Sequence, residues 1–139
     1  MRYLLDTDTC IFLINRKPGY DGVLRRLDGL GYGDVLLSAV TLAELRFGVA
    51  KSERGPVNRE KLERFLARFE VADFDSDAAA AYGSLRADLE KRGTPIGPLD
   101  MLIAAQSLAK DATLVTNNIR EFARVAGLRW ETWIGPLLP

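Results

Sequence analysis

The sequence predicts an α/β fold built on a mainly parallel sheet, and three observations carry that prediction. Short strand-like apolar runs alternate with helical patterns along the whole chain. Runs such as "YLL" and "VLL" are apolar without interruption, as buried strands are. Acidic and hydroxyl side chains stand directly after those runs, where sheets of this class build their sites. At 139 residues and 47% apolar, the chain suits one domain with a proper core. No repeat, low-complexity stretch or boundary divides it, so residues 1–139 are read as a single unit.

Taken in order, residues 2–5 (RYLL) read as a buried strand and 9–16 (TCIFLINR) as a helix. Residues 20–30 give a second helix, with apolar positions at Val23, Leu24, Leu27 and Leu30. "DVLLS" at 34–38 is the next strand. Residues 40–52 follow as a helix, with Thr41 as its predicted cap and Glu44 at capping-box spacing. "KSERGPVN" at 51–58 reads as a polar connection. Residues 58–69 are amphipathic, with Leu62, Phe65, Leu66 and Phe69 along one face. "EVADFD" at 70–75 is a short strand ending in acid, and 76–92 a long helix opening with alanines. Gly93, Pro95, Gly97 and Pro98 mark a loop. "LDMLIAAQSLAK" is a strongly apolar helix and "ATLVT" a buried strand. "NNIREFARV" gives a turn and short helix, and "LRWETW" a last strand. The tail "WIGPLLP" suits either an interface or the completion of the core.

Composition excludes several chemistries. There is no histidine, which removes Ser-His-Asp and Cys-His triads and histidine-bound zinc. Cys10 is the lone cysteine, so no internal disulfide or cysteine-cluster metal site forms. Catalysis then falls to carboxylates, lysine, hydroxyls or a hard cation on oxygen ligands. Lys plus Arg and Asp plus Glu balance at 19 each, so any attraction to nucleic acid must be local. No membrane-length span or signal-peptide pattern is present. A cytoplasmic protein in a reducing compartment is the expectation, and no membrane contact is expected.

Three acids stand out. Asp6 ends the first strand and should face the crevice at the sheet edge. Asp8 or Thr9 is the better candidate for capping the helix that follows. Asp100 stands at the head of an apolar helix behind Pro98, where the helix dipole alone would explain it, yet so buried a helix must start near the sheet edge. On a helical wheel Glu44 falls off the Leu42/Leu45/Val49 face, which favours a solvated or capping role. Asp75 and Asp77 open the long helix, and Glu121 in "NNIREF" is ambiguous. If Asp6, Glu44 and Asp100 meet, two carboxylates about 4 Å apart repel by roughly 4 kcal/mol at an effective dielectric near 20. Such a cluster must take up protons or a cation, and an all-oxygen site selects Mg²⁺ or Mn²⁺.

Four segments, "YLLDTDTCIFLI", "LSAVTLAELRFG", "GTPIGPLDMLIAAQSLA" and "TLVTNNIREFARVAGLRWETW", resemble PIN-domain ribonucleases, most of all the VapC-type toxins of bacterial toxin–antitoxin pairs. The likeness spans nearly the whole chain, and the order, spacing and local wording of the segments are more specific than any one of them. It implies a three-layer α/β/α domain with a sheet of about five strands and an acidic pocket that binds Mg²⁺ or Mn²⁺ and hydrolyses RNA. The family acids fall on Asp6, Glu44 and Asp100, and its Thr or Ser on Thr116. It implies Asp6 and Asp100 as metal ligands, with Glu44 a ligand or an orienter of bound water. Where many PIN domains carry a fourth aspartate this chain has Asn118, and Glu121, one turn on, stands near enough to substitute. The implied partners are an RNA substrate, a cognate antitoxin and a second copy of the chain in a homodimer. Arg46 and Arg120, each close in sequence to a pocket residue, are candidates for the RNA backbone.

Rival readings exist. "LLDTDTC" approaches the hhhDxDx[TV] signature of haloacid dehalogenase-type phosphatases, with Asp6 and Asp8 in the two acid positions, but Cys10 stands where Thr or Val is expected. A receiver-like phosphoacceptor domain lacks its expected late lysine. A non-catalytic RNA- or partner-binding module on a PIN scaffold is the third alternative.

Overall fold

Alternation of apolar residues onto both faces of every central strand organises the molecule. The computed structural model describes residues 2–134. Five strands, β1 (Tyr3–Leu5), β2 (Val35–Ser38), β3 (Glu70–Ala72), β4 (Thr113–Val115) and β5 (Trp130–Glu131), form one sheet in the order β3-β2-β1-β4-β5. Every pairing is parallel, with Leu4 beside Leu36 and Leu114, and Leu5 beside Leu37 and Val115. The chain runs outward from β1 in one direction to β3 and in the other to β5, so the order reverses between β1 and β4. In such sheets the crevice beyond the carboxyl ends at that reversal is where sites form.

Leu4, Leu36 and Leu114 pack on one face with Leu85 and Leu89 from α5 (Ser76–Lys91) and Ile103 and Ala104 from α6 (Pro98–Ala109). Leu5, Leu37 and Val115 pack on the other with Cys10 and Leu13 from α1 (Thr7–Ile14), Val23 and Leu27 from α2 (Tyr20–Asp28), and Leu62 and Phe65 from α4 (Gly55–Leu66). Each such side chain is taken out of water at a gain of about 2 kcal/mol. The result is the expected three layers, helices on both faces of the sheet. Helix α3 (Ala39–Lys51) leaves β2 and packs against α1 and α4 on one side and α6 on the other. A short α7 (Ile119–Phe122) follows β4 and buries Phe122.

Several boundaries differ from the sequence reading, each for a local reason. Helix α1 begins at Thr7 rather than residue 9, because Asp6 caps it. Ser38, not Thr41, caps α3 by accepting from Val40 and Thr41 N–H groups, and Thr41 is buried instead. Helix α4 begins at Gly55 with Pro56 in its first turn, a position that suits proline, so part of the predicted linker is helical. Strand β3 stops at Ala72, and β5 has two residues. Trp133 completes the core: it is buried, and its ring meets Tyr3 edge-on with centroids 5.0 Å apart. The rest of the predicted tail, residues 135–139, lies outside the described residues. Among the described residues no helix is long and apolar enough to cross a membrane.

Candidate active site

The first carboxylate is held by three elements at once. Asp6 carries the β1 ladder one residue further by donating its N–H to the Val115 carbonyl at 3.0 Å. Its backbone is extended (φ −77°, ψ 171°), so Oδ1 swings over the first turn of α1 and accepts from Thr9 N at 2.9 Å. Oδ2 accepts from Thr116 Oγ1 at 2.5 Å. The cap is therefore Asp6, correcting the expectation that Asp8 or Thr9 plays that part. The same bonds fix Asp6 in the crevice that its place after β1 predicts. Only 3% of Asp6 is exposed. Burial raises its pKa from the ordinary carboxylate value, while the Thr116 and Thr9 hydrogen bonds pull the other way.

The second group is built at the head of α6. Gly97 N–H donates to Glu121 Oε1 at 3.3 Å, and Asn118 Nδ2 donates to Glu121 Oε2 at 3.0 Å. Glu121 also shares a hydrogen bond with Asp100. Burial first, then that hydrogen bond and the charges of Glu121, Asp6 and Asp8, push the Asp100 pKa up to about 8. The Glu121 pKa falls, chiefly because Asp100 donates to it. The two acids titrate as a pair, with Asp100 shifted up and Glu121 down. A Cβ on Gly97 would stand 3.1 Å from Asp100 Oδ2, so the loop runs hard against this pair. Thr116 links the two groups: its hydroxyl serves Asp6 and accepts from Asn118 N at 2.9 Å.

Glu44 reaches the same end of the molecule from α3. It accepts from Thr7 Oγ1 at 2.7 Å, and with that hydrogen used Thr7 Oγ1 accepts from Thr41 Oγ1 at 3.1 Å. It is half-buried and caps nothing, which corrects the solvated-or-capping reading of the wheel. It lines a groove with Thr7 and Leu99, the chain neighbours of Asp6 and Asp100. Arg46 is turned to the surface in an ion pair with Glu63 of α4. Arg120 is exposed on α7, beside Glu121 in the chain.

Thr7 was not foreseen from the sequence; its partner lies 37 residues away, and no local pattern carries that. Gln106 was also missed. Buried in α6, it contacts Ser38 Oγ and donates to the Ala72 and Asp73 carbonyls at 2.9 and 3.0 Å. It thereby ties the cap of α3, which carries Glu44, to α6, which carries Asp100.

Among the described residues no three acidic or cysteine side chains stand in a ready-made liganding arrangement. The donor chemistry nevertheless fits a hard cation: carboxylates of Asp6, Asp100, Glu121 and Glu44, the Asn118 amide and the Thr116 hydroxyl are all oxygen donors of the kind Mg²⁺ takes. Burial and the neighbouring Glu121, Asp6 and Asp8 raise the Asp100 pKa, the direction expected where carboxylates crowd and a cation would offset their charge.

The PIN domain profile matches residues 3–128. Ribonuclease VapC2 of Rickettsia felis is 43% identical over 134 residues, covering 96% of this chain and 98% of the relative. The tRNA(fMet)-specific endonuclease VapC of Salmonella typhimurium is 41% identical over 133 residues, with coverage of 96% and 98%. Among solved structures, DNA-bound VapBC from Salmonella typhimurium superposes with a TM-score of 0.90 at 40% identity, covering 96% of this chain and 98% of that one. VapBC2 from Rickettsia felis bound to a promoter DNA fragment gives 0.87 at 42% identity, covering 96% and 99%.

Proposed function

The chain belongs to the PIN-domain family, and from that footing we propose that it is a metal-dependent endoribonuclease, the toxin of a toxin–antitoxin pair, acting on structured RNA of the tRNA class. The observation that carries the reading is the hydrogen-bonded chain from Asp6 through Thr116 and Asn118 to Glu121, with Asp100 against the same Gly97 at the head of α6, beyond the carboxyl ends of β1 and β4. A relative specific for tRNA(fMet) makes the initiator tRNA the first substrate to try. VapBC complexes among the structural neighbours support a cognate antitoxin as the protein partner.

In this reading Asp6 and Asp100 hold Mg²⁺ or Mn²⁺, with Glu44 as ligand or as orienter of the attacking water. Thr116 fixes the rotamer of Asp6, and Asn118 fixes Glu121, which supplies negative charge where many relatives carry a fourth aspartate. When bound, the metal neutralises charge building on the phosphate and lowers the pKa of a water. Water, not the RNA 2′-hydroxyl, is the nucleophile, so the P–O3′ bond breaks and leaves 5′-phosphate and 3′-hydroxyl ends. Arg120 and Arg46 are assigned to the RNA backbone, and the whole chain, 1–139, to one ribonuclease domain in the cytoplasm. Exposed Phe47 and Leu99 line an apolar groove of about 870 Å³ beside Glu44 and support a homodimer.

The test is cleavage of tRNA in Mn²⁺ with and without EDTA, beside Asp6→Asn and Asp100→Asn. Metal-dependent cleavage lost in both variants is the expected result. RNA retention without cleavage identifies a binding module instead, and phosphomonoester turnover lost in Asp8→Asn identifies a phosphatase.

A further inference from the structure

A second pocket, of about 330 Å³, opens beside the acidic cluster and is lined by Asp8, Ile11, Phe12, Lys17, Asn117 and Asn118. None of Phe12, Lys17 and Asn117 takes part in the site described above. We propose that this pocket seats a single nucleotide of the RNA next to the cleaved linkage, with its base against the Phe12 ring and a phosphate at Lys17. The proposal rests on the ribonuclease reading and adds to it the place where one neighbouring nucleotide is held.

The local fold builds this pair deliberately. At the end of α1 Lys17 N donates to the Phe12 carbonyl at 3.1 Å and Arg16 N to the Leu13 carbonyl at 3.4 Å, the double closure that reverses a chain after a helix. That closure needs a left-handed residue, which glycine usually supplies; here Arg16 takes it, with φ 49°. The reversal brings Lys17 back over α1, and Nζ lies 5.6 Å from the Phe12 ring centroid. An aromatic face and an ammonium thus share one small cavity. Across it stand two amides. Asn117 Oδ1 accepts from Thr132 Oγ1 at 3.3 Å, which leaves its amide hydrogens for another acceptor.

Each component suits part of a nucleotide. Aromatic side chains stack unpaired bases with little regard to their identity. A lysine is a point charge for phosphate, and here it offsets the repulsion that the neighbouring Asp8 and Glu121 carboxylates impose on an incoming polyanion. The Asn117 amide and the Asp8 carboxylate can bond a base edge or a 2′-hydroxyl. The volume lies at the small end of ligand pockets, which suits one splayed nucleotide rather than a duplex. Asn118 lies in the lining and also bonds Glu121, so a nucleotide here adjoins the acidic cluster.

The test pairs protein variants with altered RNA. After the cut is mapped, a short RNA carrying it is made abasic at each flanking nucleotide in turn. Phe12→Leu and Lys17→Met should each raise KM about tenfold with kcat little changed, and Phe12→Tyr and Lys17→Arg should restore it. One abasic position should cost the same factor, and on that RNA Phe12→Leu should cost nothing more. Equal losses on intact and abasic RNA overturn the subsite while leaving the ribonuclease reading standing. RNA left whole by the wild type, as by Asp6→Asn, overturns that reading and the subsite with it.

Discussion

Thr116 donates its hydroxyl hydrogen to Asp6 Oδ2 at 2.5 Å, joining the ends of the two strands between which the sheet reverses its order. The same oxygen accepts from Asn118 N. Thr116→Val keeps the shape and removes both bonds, leaving a buried carboxylate oxygen and a backbone N–H unpaired. Stability should fall by about 1–3 kcal/mol in urea melts, and RNA cleavage by about tenfold to a hundredfold as Asp6 loses its rotamer. Thr116→Ser should recover most of both. Unchanged cleavage in the valine variant would separate this bond from catalysis.

Metal removal gives a second expectation. Burial and neighbouring acids make the Asp100 charge costly in the metal-free protein, so Asp100→Asn should melt no lower than wild type in EDTA. Added Mn²⁺ should raise the melting temperature of wild type, by mass action on the folded state, and leave that of Asp100→Asn nearly unmoved. A variant that gains as much from Mn²⁺ as wild type would remove Asp100 from the metal's ligands.

Gly97 offers a steric probe of the same pair. An added Cβ at 3.1 Å from Asp100 Oδ2 must displace that oxygen by a few tenths of an ångström, while Glu121 Oε2 at 3.8 Å stays in ordinary contact. Its φ is −55°, so alanine meets no backbone strain there. Gly97→Ala should therefore fold with wild-type stability to within about 0.5 kcal/mol and cleave RNA at least several-fold more slowly. A loss of stability without loss of activity would contradict this.

The fold was legible where sequence signals were local. Leu4–Leu5, Leu36–Leu37 and Leu114–Val115 are apolar pairs that serve opposite faces, and they announced covered parallel strands. The Leu62, Phe65, Leu66 and Phe69 stripe announced which face of α4 is buried, although α4 ends at Leu66 and Phe69 is buried just beyond it. The start of α1 was misread by two residues and the cap of α3 by three, because Asp6 follows directly on β1 and Ser38 ends β2, so each cap reads as part of a strand. Glu44 was illegible to periodicity for a different reason: α3 packs on both flanks, so no single stripe marks its buried side, and the Thr7 hydroxyl that holds Glu44 comes from a remote segment. Likeness to the family found Glu44; helical geometry did not.

A pH prediction falls at the start of α5. Asp75 caps α5 by accepting from Ala78 N at 3.0 Å, and Lys110 lies 3.5 Å away. The cap bond, more than the lysine, holds its pKa below the usual aspartate value. A depressed acid contributes stability that is present above its unfolded pKa, about 3.9, and is lost as pH falls through the folded value. Asp75→Asn should thus be less stable than wild type at neutral pH and converge with it as pH falls below the folded value, as chemical melts from neutral to acid pH would read. A constant gap would show that the charge contributes nothing.

The two arginines assigned to RNA separate by their surroundings. Arg46 is already engaged with Glu63 on the surface, both half-exposed, and a pair of that kind contributes little to stability. Binding phosphate there means sharing the guanidinium with Glu63. Arg120 is exposed next to Glu121 with no ion pair among the described residues. A cation that neutralises one phosphate of single-stranded RNA lowers the slope of log affinity against log salt by about 0.7 when removed. Arg120→Ala should produce that change, with affinity reduced for all RNA sequences alike, measured on Asp6→Asn so that nothing is cut. Arg46→Ala should change the slope by less, because Arg46 shares its charge between phosphate and Glu63 and so neutralises less than one phosphate. Equal slopes for wild type and Arg120→Ala would take Arg120 out of the RNA path.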